Sequence, residues 1–129
     1  MIITSNLDPL FLCPTPFGLL QTDSLTCEKN NKSGYNSSII IWRGAHFSHI
    51  YSALKNNFEI ITKFIVRFDF WLEMMVKNAD FLQNLLPNKI RDFLGECQKE
   101  VPEETSVVCF PRTPKPDAYP AEWIRDFWI

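Results

Sequence analysis

The chain has 129 residues, of which 46% are hydrophobic, 14% aromatic and 22% charged, and its formal net charge is −2. This is the composition of one globular domain, so it excludes a two-domain enzyme and a disordered chain. Acidic and basic residues nearly balance, so no nucleic-acid partner is expected. Lys63, Arg67, Asp69 and Glu73 interrupt the most apolar region, which argues against a membrane span.

The first half of the chain predicts three strands. Residues 1–4 form a short apolar run typical of a strand, and a helical turn that includes Pro9 follows it. Residues 17–21 are a second short strand candidate. Residues 35–42 contain a β-branched run, and we expect residues 39–42 to form a buried strand.

The middle of the chain predicts helices. From residue 45 onward, apolar positions recur with the period of an amphipathic helix, at Phe47, Ile50, Tyr51 and Leu54. Residues 58–66 form another apolar segment. A further helix is expected to begin at Asp69, a residue type that often caps helices.

The last third returns to alternating elements. Residues 80–86 predict a short helix that ends at Pro87, and residues 105–110 predict a second buried strand, which we place in one sheet with residues 39–42. A proline-rich loop follows, and residues 122–128 predict an aromatic helix. The alternation of strands and helices predicts an α/β fold.

The four cysteines occur singly, without Cys-x-x-Cys spacing, at Cys13, Cys27, Cys97 and Cys109. The first basic residue is Lys29, so the N-terminus has no positively charged region of a secretory signal. We therefore expect reduced thiols, no disulfide and a cytoplasmic protein.

Polar residues flank the two predicted buried strands. Asn36, Ser37 and Ser38 begin the first strand, and their amide and hydroxyl groups suit sugar hydroxyls, although Asn36 could equally satisfy local backbone groups. Lys115 lies between two prolines after the second strand, where a restrained ammonium suits a phosphate, although an exposed loop lysine is the alternative.

Other residues of catalytic type favour structural roles. His46 and His49 lack a carboxylate or cysteine partner at ligand spacing, so no metal site is expected. Arg67 and Arg112 are expected in surface ion pairs rather than on phosphate. Residues Trp123 and Trp128 are expected to pack against a sheet rather than on a sugar.

Four segments, in this order, resemble the second half of the GT-A-fold glycosyltransferases. They are residues 34–42 (GYNSSIIIW), 68–72 (FDFWL) and 107–116 (VVCFPRTPKP), with residues 2–11 (IITSNLDPLF) similar to the segment that follows the family's D-x-D motif. The metal-ligating histidine of the last loop is replaced by Cys109 or by Pro111, depending on the alignment, and the glycine of that loop by Arg112.

The resemblance implies a partial GT-A sheet with flanking helices. Residues 1–129 would be the acceptor-side, C-terminal part of a domain whose D-x-D motif and nucleotide-binding half precede Met1. The full-length parent would transfer a hexose from a nucleotide-sugar, a UDP-sugar, to an acceptor, with Mn²⁺ or Mg²⁺ in the parent and no cofactor in this chain. Alone, the chain is not expected to bind a metal and a nucleotide-sugar tightly.

The resemblance also implies roles for individual residues. Asp69 would be the catalytic carboxylate near the anomeric carbon, Asn36, Ser37 and Glu73 would contact donor or acceptor sugar, and Lys115 would bind phosphate. Asn36, Asp69 and Lys115 would then converge on one cleft. The alternatives are a helix cap for Asp69, a solvated side chain for Glu73, and a non-catalytic fragment or interaction module that retains only the fold.

Overall fold

The computed structural model describes residues 1–22, 34–45, 47–110, 113–119 and 121–127. Within these residues, six short strands form two sheets of three strands each. The strands are β1 (Ile2–Ile3), β2 (Phe17–Gln21), β3 (Tyr35–Trp42), β4 (Asp80–Phe81), β5 (Ile90–Asp92) and β6 (Val107–Cys109). The predicted strands are therefore present, and the α/β class is confirmed.

The strand order is β1-β6-β5 in one sheet and β3-β2-β4 in the other. β6 runs antiparallel to β1 and parallel to β5, whereas β2 runs antiparallel to β3 and parallel to β4. The prediction that residues 39–42 and 107–110 share a sheet is therefore wrong. Both segments are apolar runs, and an apolar pattern predicts that a strand is buried but does not determine which strand pairs with it.

Short helices connect and cover the two sheets. They are α1 (Asp8–Phe11), α2 (Ser48–Asn56), α3 (Phe58–Phe64), α4 (Phe68–Met75), α5 (Leu82–Leu85), α6 (Phe93–Glu96) and α7 (Glu122–Phe127), with a 3₁₀ turn at Pro116–Ala118. No helix in the described part of the chain has both the length and the apolar character needed to cross a bilayer.

β3 is interrupted by a bulge. The neighbouring residues Leu19 and Leu20 of β2 pair with Ile40 and Asn36, so residues 37–39 of β3 have no partner on β2. The strand is also less buried than its apolar run predicts. Ile39 is buried, but Trp42, the last residue of β3, is 58% exposed, and β3 is an edge strand of its sheet.

Three clusters of buried apolar side chains hold the elements together. The first joins both sheets, since it contains Leu20 and Ile39 from one and Ile90 and Val107 from the other. The second packs Trp123 and Phe93 against β1 and β6. Phe93 stacks on Phe110 with ring centroids 4.4 Å apart. As predicted, Trp123 packs against a sheet.

The third cluster packs α2 and α4 on β2 and β3 through Ile50, Trp71 and Leu72. Of the predicted α2 stripe, Ile50 is buried, whereas Tyr51 is 67% exposed. α2 therefore contacts the sheet through a narrower stripe than the sequence predicts. This arrangement places α4 beside the first residues of β3.

Candidate functional site

The four residues predicted to contact sugar or acceptor lie together where α4 meets β3. Asp69 and Glu73 are four residues apart, so they lie on one face of α4. The Ser37 amide donates to Asp69 Oδ1 at 2.7 Å, and the Tyr35 amide donates to Glu73 Oε1 at 2.8 Å. Two carboxylates of one helix thus bind two amides of one strand, which fastens α4 to the edge of β3.

Both carboxylate oxygens of Asp69 are engaged. Oδ1 accepts from Ser37, and Oδ2 pairs with the Arg67 guanidinium at 2.9 Å, while the Asp69 side chain is 15% exposed. The predicted surface ion pair of Arg67 is confirmed. The prediction that Asp69 caps α4 is wrong: Arg67 is the N-cap residue, and Asp69 lies within the first turn without a capping hydrogen bond.

Asn36 and Lys115 also bind backbone groups. The Ser38 amide donates to Asn36 Oδ1 at 2.9 Å, which is the local role weighed against a sugar contact. Lys115 Nζ donates to the Phe110 carbonyl at 2.7 Å, just after β6 in the other sheet. The described contacts do not join Lys115 to Asn36 or Asp69, so their convergence on one cleft stays a prediction.

Among the described residues, no three His, Cys, Asp or Glu side chains lie close enough together to hold a metal ion. His46, Pro111, Arg112 and Trp128 lie outside the described residues, so nothing follows for their predicted roles.

Three cysteines are buried free thiols: Cys13, Cys97 and Cys109. Among these three the prediction of no disulfide is confirmed, and Cys27 lies outside the described residues. Burial raises the pKa of the Cys97 thiol, and likewise that of Cys109, to about 11. These two thiols therefore stay protonated at neutral pH, and a protonated thiol is a poor nucleophile.

A different feature of β3 is open to a ligand, namely the backbone at its second half. The Arg43 amide donates to the Pro16 carbonyl at 3.0 Å, so these two residues form a hydrogen-bonded pair of the β2–β3 ladder. In an antiparallel ladder such pairs alternate with pairs whose backbone groups point away. Ile40 and Trp42 belong to the alternate pairs, so their N–H and C=O groups face away from β2. No described strand pairs with that side.

Apolar hollows adjoin this edge. One, of about 430 Å³, is lined by five consecutive residues, 39–43, together with Leu7, Leu10 and Phe11. Because side chains of a strand alternate between its two faces, a hollow lined by five consecutive residues must run along the strand edge. The other, of about 310 Å³, contains Ile40 and Trp42 with Tyr51 and Phe68, and no charged residue lines it.

The free edge was not predicted, because the apolar run at residues 39–42 was interpreted as a buried strand. The run Ser-Ile-Ile-Ile-Trp at 38–42 carries no charge and no proline, the residues that usually mark an edge strand, so no signal in the sequence identified this edge.

Comparisons of the chain with protein-family models, with curated proteins and with solved structures found no match.

Proposed function

We propose that the chain is an interaction module that binds an extended peptide along the free edge of β3. The observation that carries the proposal is the pair Ile40 and Trp42, whose backbone donors and acceptors face outward beside two apolar hollows. Such groups, two residues apart, are complementary to the backbone of another strand. In strand addition, main-chain hydrogen bonds supply affinity and pockets for alternate side chains supply specificity.

The polar residues support this function over catalysis. Asp69, Glu73, Asn36 and Lys115 each bind a backbone group of the chain itself. In these contacts they position α4, the β3 bulge and the loop after β6. The apolar hollows, by contrast, are occupied by no described side chain and suit the apolar residues of an added strand.

The test uses a designed probe, the peptide acetyl-Lys-Lys-Val-Ile-Val-Ile-Lys-Lys-amide, which alternates apolar side chains across a strand and stays soluble through its lysines. Its matched control has the same side chains with the four central amides N-methylated, so it cannot pair. Titration followed by amide hydrogen exchange should show protection at Ile40 and Trp42 with the first peptide only. Equal binding of both peptides would overturn the proposal.

Two variants separate backbone pairing from side-chain contact. Ile40→Pro removes an outward amide and keeps every bond to β2, since proline is tolerated on the free side of an edge strand. It should weaken peptide binding about tenfold or more, the scale of about one to two lost hydrogen bonds. Ile40→Val keeps the amide and removes only one methyl group from the side chain, so it should weaken peptide binding less than Ile40→Pro does. If Ile40→Pro fails to fold, Trp42→Pro removes the neighbouring outward amide instead.

We propose hexose transfer as a second candidate, in which the chain is the acceptor-side part of a GT-A domain. The observation that favours it is the proximity of Asn36, Ser37, Asp69 and Glu73 at the α4–β3 contact, the four residues to which the resemblance assigns sugar contacts. In this role the Asp69 carboxylate would exchange its bond to the Ser37 amide for one to an acceptor hydroxyl.

UDP-glucose at high concentration with the diamagnetic ion Mg²⁺ is the probe for this candidate, because amide chemical shifts also detect the weak binding expected of this chain alone. Shifts at Asn36 and Ser37 that disappear in Asp69→Asn, and persist in Asp117→Asn, would support it. Asp117 is a matched control because it is an exposed carboxylate on the 3₁₀ turn. If saturating UDP-glucose leaves these amides unchanged, the candidate fails for this chain.

A further inference from the structure

We infer that the strand added at the β3 edge is β3 of a second copy of the chain, antiparallel and related by a two-fold axis at Ile41. This inference rests on the proposed strand addition and names its partner. An antiparallel partner must offer donors and acceptors with the same two-residue spacing as the outward groups of β3.

The outward groups of β3 are complementary to themselves. A two-fold axis at Ile41 places Ile40 of one copy opposite Trp42 of the other, and Trp42 opposite Ile40. Residues whose groups face the partner strand exchange both N–H···O bonds with the residue opposite. The pairing therefore forms four hydrogen bonds and uses all outward groups of Ile40 and Trp42 in both copies. A self-complementary patch of this kind is what a two-fold dimer requires.

The length of the open edge also fits β3. At its start, α4 covers the edge, since Glu73 and Asp69 bind the amides of Tyr35 and Ser37. At its end, β3 stops at Trp42, and Gly44 turns the chain with a φ of 67°. With the axis at Ile41, the residue opposite Ser37 is Ala45, which lies beyond that turn. The added β3 thus ends before it would meet α4.

The charges near the edge permit two copies to approach. Residues 35–42 carry no charged side chain. The nearest cation, Arg43, donates to the Phe11 carbonyl at 3.2 Å and to the Cys13 carbonyl at 2.8 Å, which holds its guanidinium toward α1. Exposed Trp42 would pack beside Ile40 of the second copy, an aromatic and β-branched pair of the kind that stabilises sheets.

Sedimentation equilibrium over a range of protein concentrations is the first test. The native chain should show a monomer–dimer equilibrium, and Ile40→Pro should raise the dissociation constant at least tenfold. A native chain that stays monomeric at all concentrations would overturn the second-copy inference. In that case, the peptide titration of the monomer would still test the proposed strand addition separately.

Cysteine crosslinking tests the register. Ile41→Cys, in a Cys27→Ser background, places two thiols across the axis as a non-hydrogen-bonded pair, whose Cα atoms lie about 4.5 Å apart, within disulfide range. Mild oxidation should therefore yield a disulfide-linked dimer. Ser38→Cys is the matched control, because Ser38 is exposed and lies opposite Gly44 in this register. Equal crosslinking by the two variants, or none by Ile41→Cys, would contradict the axis at Ile41.

Discussion

The carboxylates of Asp69 and Glu73 lie 2.7 Å and 2.8 Å from backbone amides of β3. A hydrogen bond to a charged acceptor contributes about 1.5 to 3 kcal/mol, and more is lost when a shielded amide is left without a partner. We therefore expect Asp69→Ala and Glu73→Ala each to lower the free energy of unfolding by about 2 kcal/mol. Denaturant unfolding measures this loss.

The control is Asp117→Ala, an exposed carboxylate whose removal should change stability by less than about 0.5 kcal/mol. Equal stability of all three variants would mean that the two carboxylates do not fasten α4 to β3.

The buried thiols Cys97 and Cys109 make stability depend on alkaline pH. Burial raises the pKa of each thiol from 9.0 to about 11 in the folded chain. The folded state therefore holds these protons more tightly than the unfolded state. The stabilisation that these protonated thiols add to the free energy of unfolding is fully present below pH 9 and decreases as the pH rises from about 9 to 11.

Unfolding by denaturant at pH 8 and at pH 10.5 tests this, with the double variant Cys97→Ala/Cys109→Ala as the comparison. Tyrosines and lysines titrate in both proteins, so the difference between the two isolates the thiols. The native chain should lose more stability than the variant over this range. An identical pH dependence would contradict the prediction.

At the scale of elements, Gly18 in β2 controls how closely α5 approaches the sheet. A Cβ at position 18 would lie 2.7 Å from Leu82 Cδ2 and 2.9 Å from Thr15 Cγ2, both shorter than side-chain contacts allow. Gly18→Ala should therefore destabilise the chain by about 1 to 3 kcal/mol through overpacking.

The double variant Gly18→Ala/Leu82→Ala separates overpacking from a loss of conformational freedom. This double variant removes the short contact with Leu82. Its loss of stability should therefore be smaller than the sum of the losses in the two single variants. Purely additive losses, measured by thermal unfolding, would show that the contact with Leu82 is not the cause.

The elements were predictable where a local pattern defines them. Residues 17–21 and residues 107–110 have the apolar runs of strands, and residues 45–54 have a helical period, so β2, β6 and α2 follow from local chemistry. β5 and α6 were not predicted, because residues 90–96 show neither an apolar run nor a helical period. Residues 80–81, predicted as the start of a helix, form β4 instead. The candidate site was predictable only in part. A spacing of four residues on a helix predicts that Asp69 and Glu73 lie on one face, but the position of β3 beside them depends on the tertiary fold.

At the scale of the whole molecule, the first apolar cluster is the connection between the two sheets. Leu82 is fully buried in it, together with Val107 of β6 and Leu20 of β2. Leu82→Ala should therefore lower the stability of both sheets together, by about 2 to 5 kcal/mol. Trp71 and Trp123 can report the unfolding of the two sheets separately, because they lie in the two other clusters, one beside each sheet.

Variants that retain one of these two tryptophans, with the others changed to phenylalanine, allow each sheet to be followed by fluorescence. Leu82→Ala should shift the two unfolding midpoints by the same amount. A shift at Trp71 alone would show that the sheets unfold independently. The arrangement into two sheets was not predictable from sequence, because it depends on pairings such as Ile2 with Val108 that are far apart in the chain.

Because of the bulge, residues 37–39 of β3 do not pair with β2, and we expect that they can be deleted without loss of the sheet. If residues 37–39 were absent, Ile40 would follow Asn36 directly, and Leu19 and Leu20 would keep their present partners in an uninterrupted ladder. The alternation of hydrogen-bonded and non-hydrogen-bonded pairs would also be kept. The Thr22 amide donates to the Gly34 carbonyl at one end of the ladder, and the Arg43 amide donates to the Pro16 carbonyl at the other. After the deletion, these two pairs would be six positions apart on both strands.

Deletion of residues 37–39 would remove the buried Ile39 side chain and the Ser37–Asp69 bond, a loss of about 3 to 5 kcal/mol, while the Tyr35–Glu73 bond remains. We expect the shortened chain to fold, and circular dichroism should still show its sheet. A deletion of equal length in β2, residues 17–19, should unfold the chain, because β2 pairs on both sides and has no such unpaired segment. β3 is thus a place where the chain can change its length by three residues and keep its sheet.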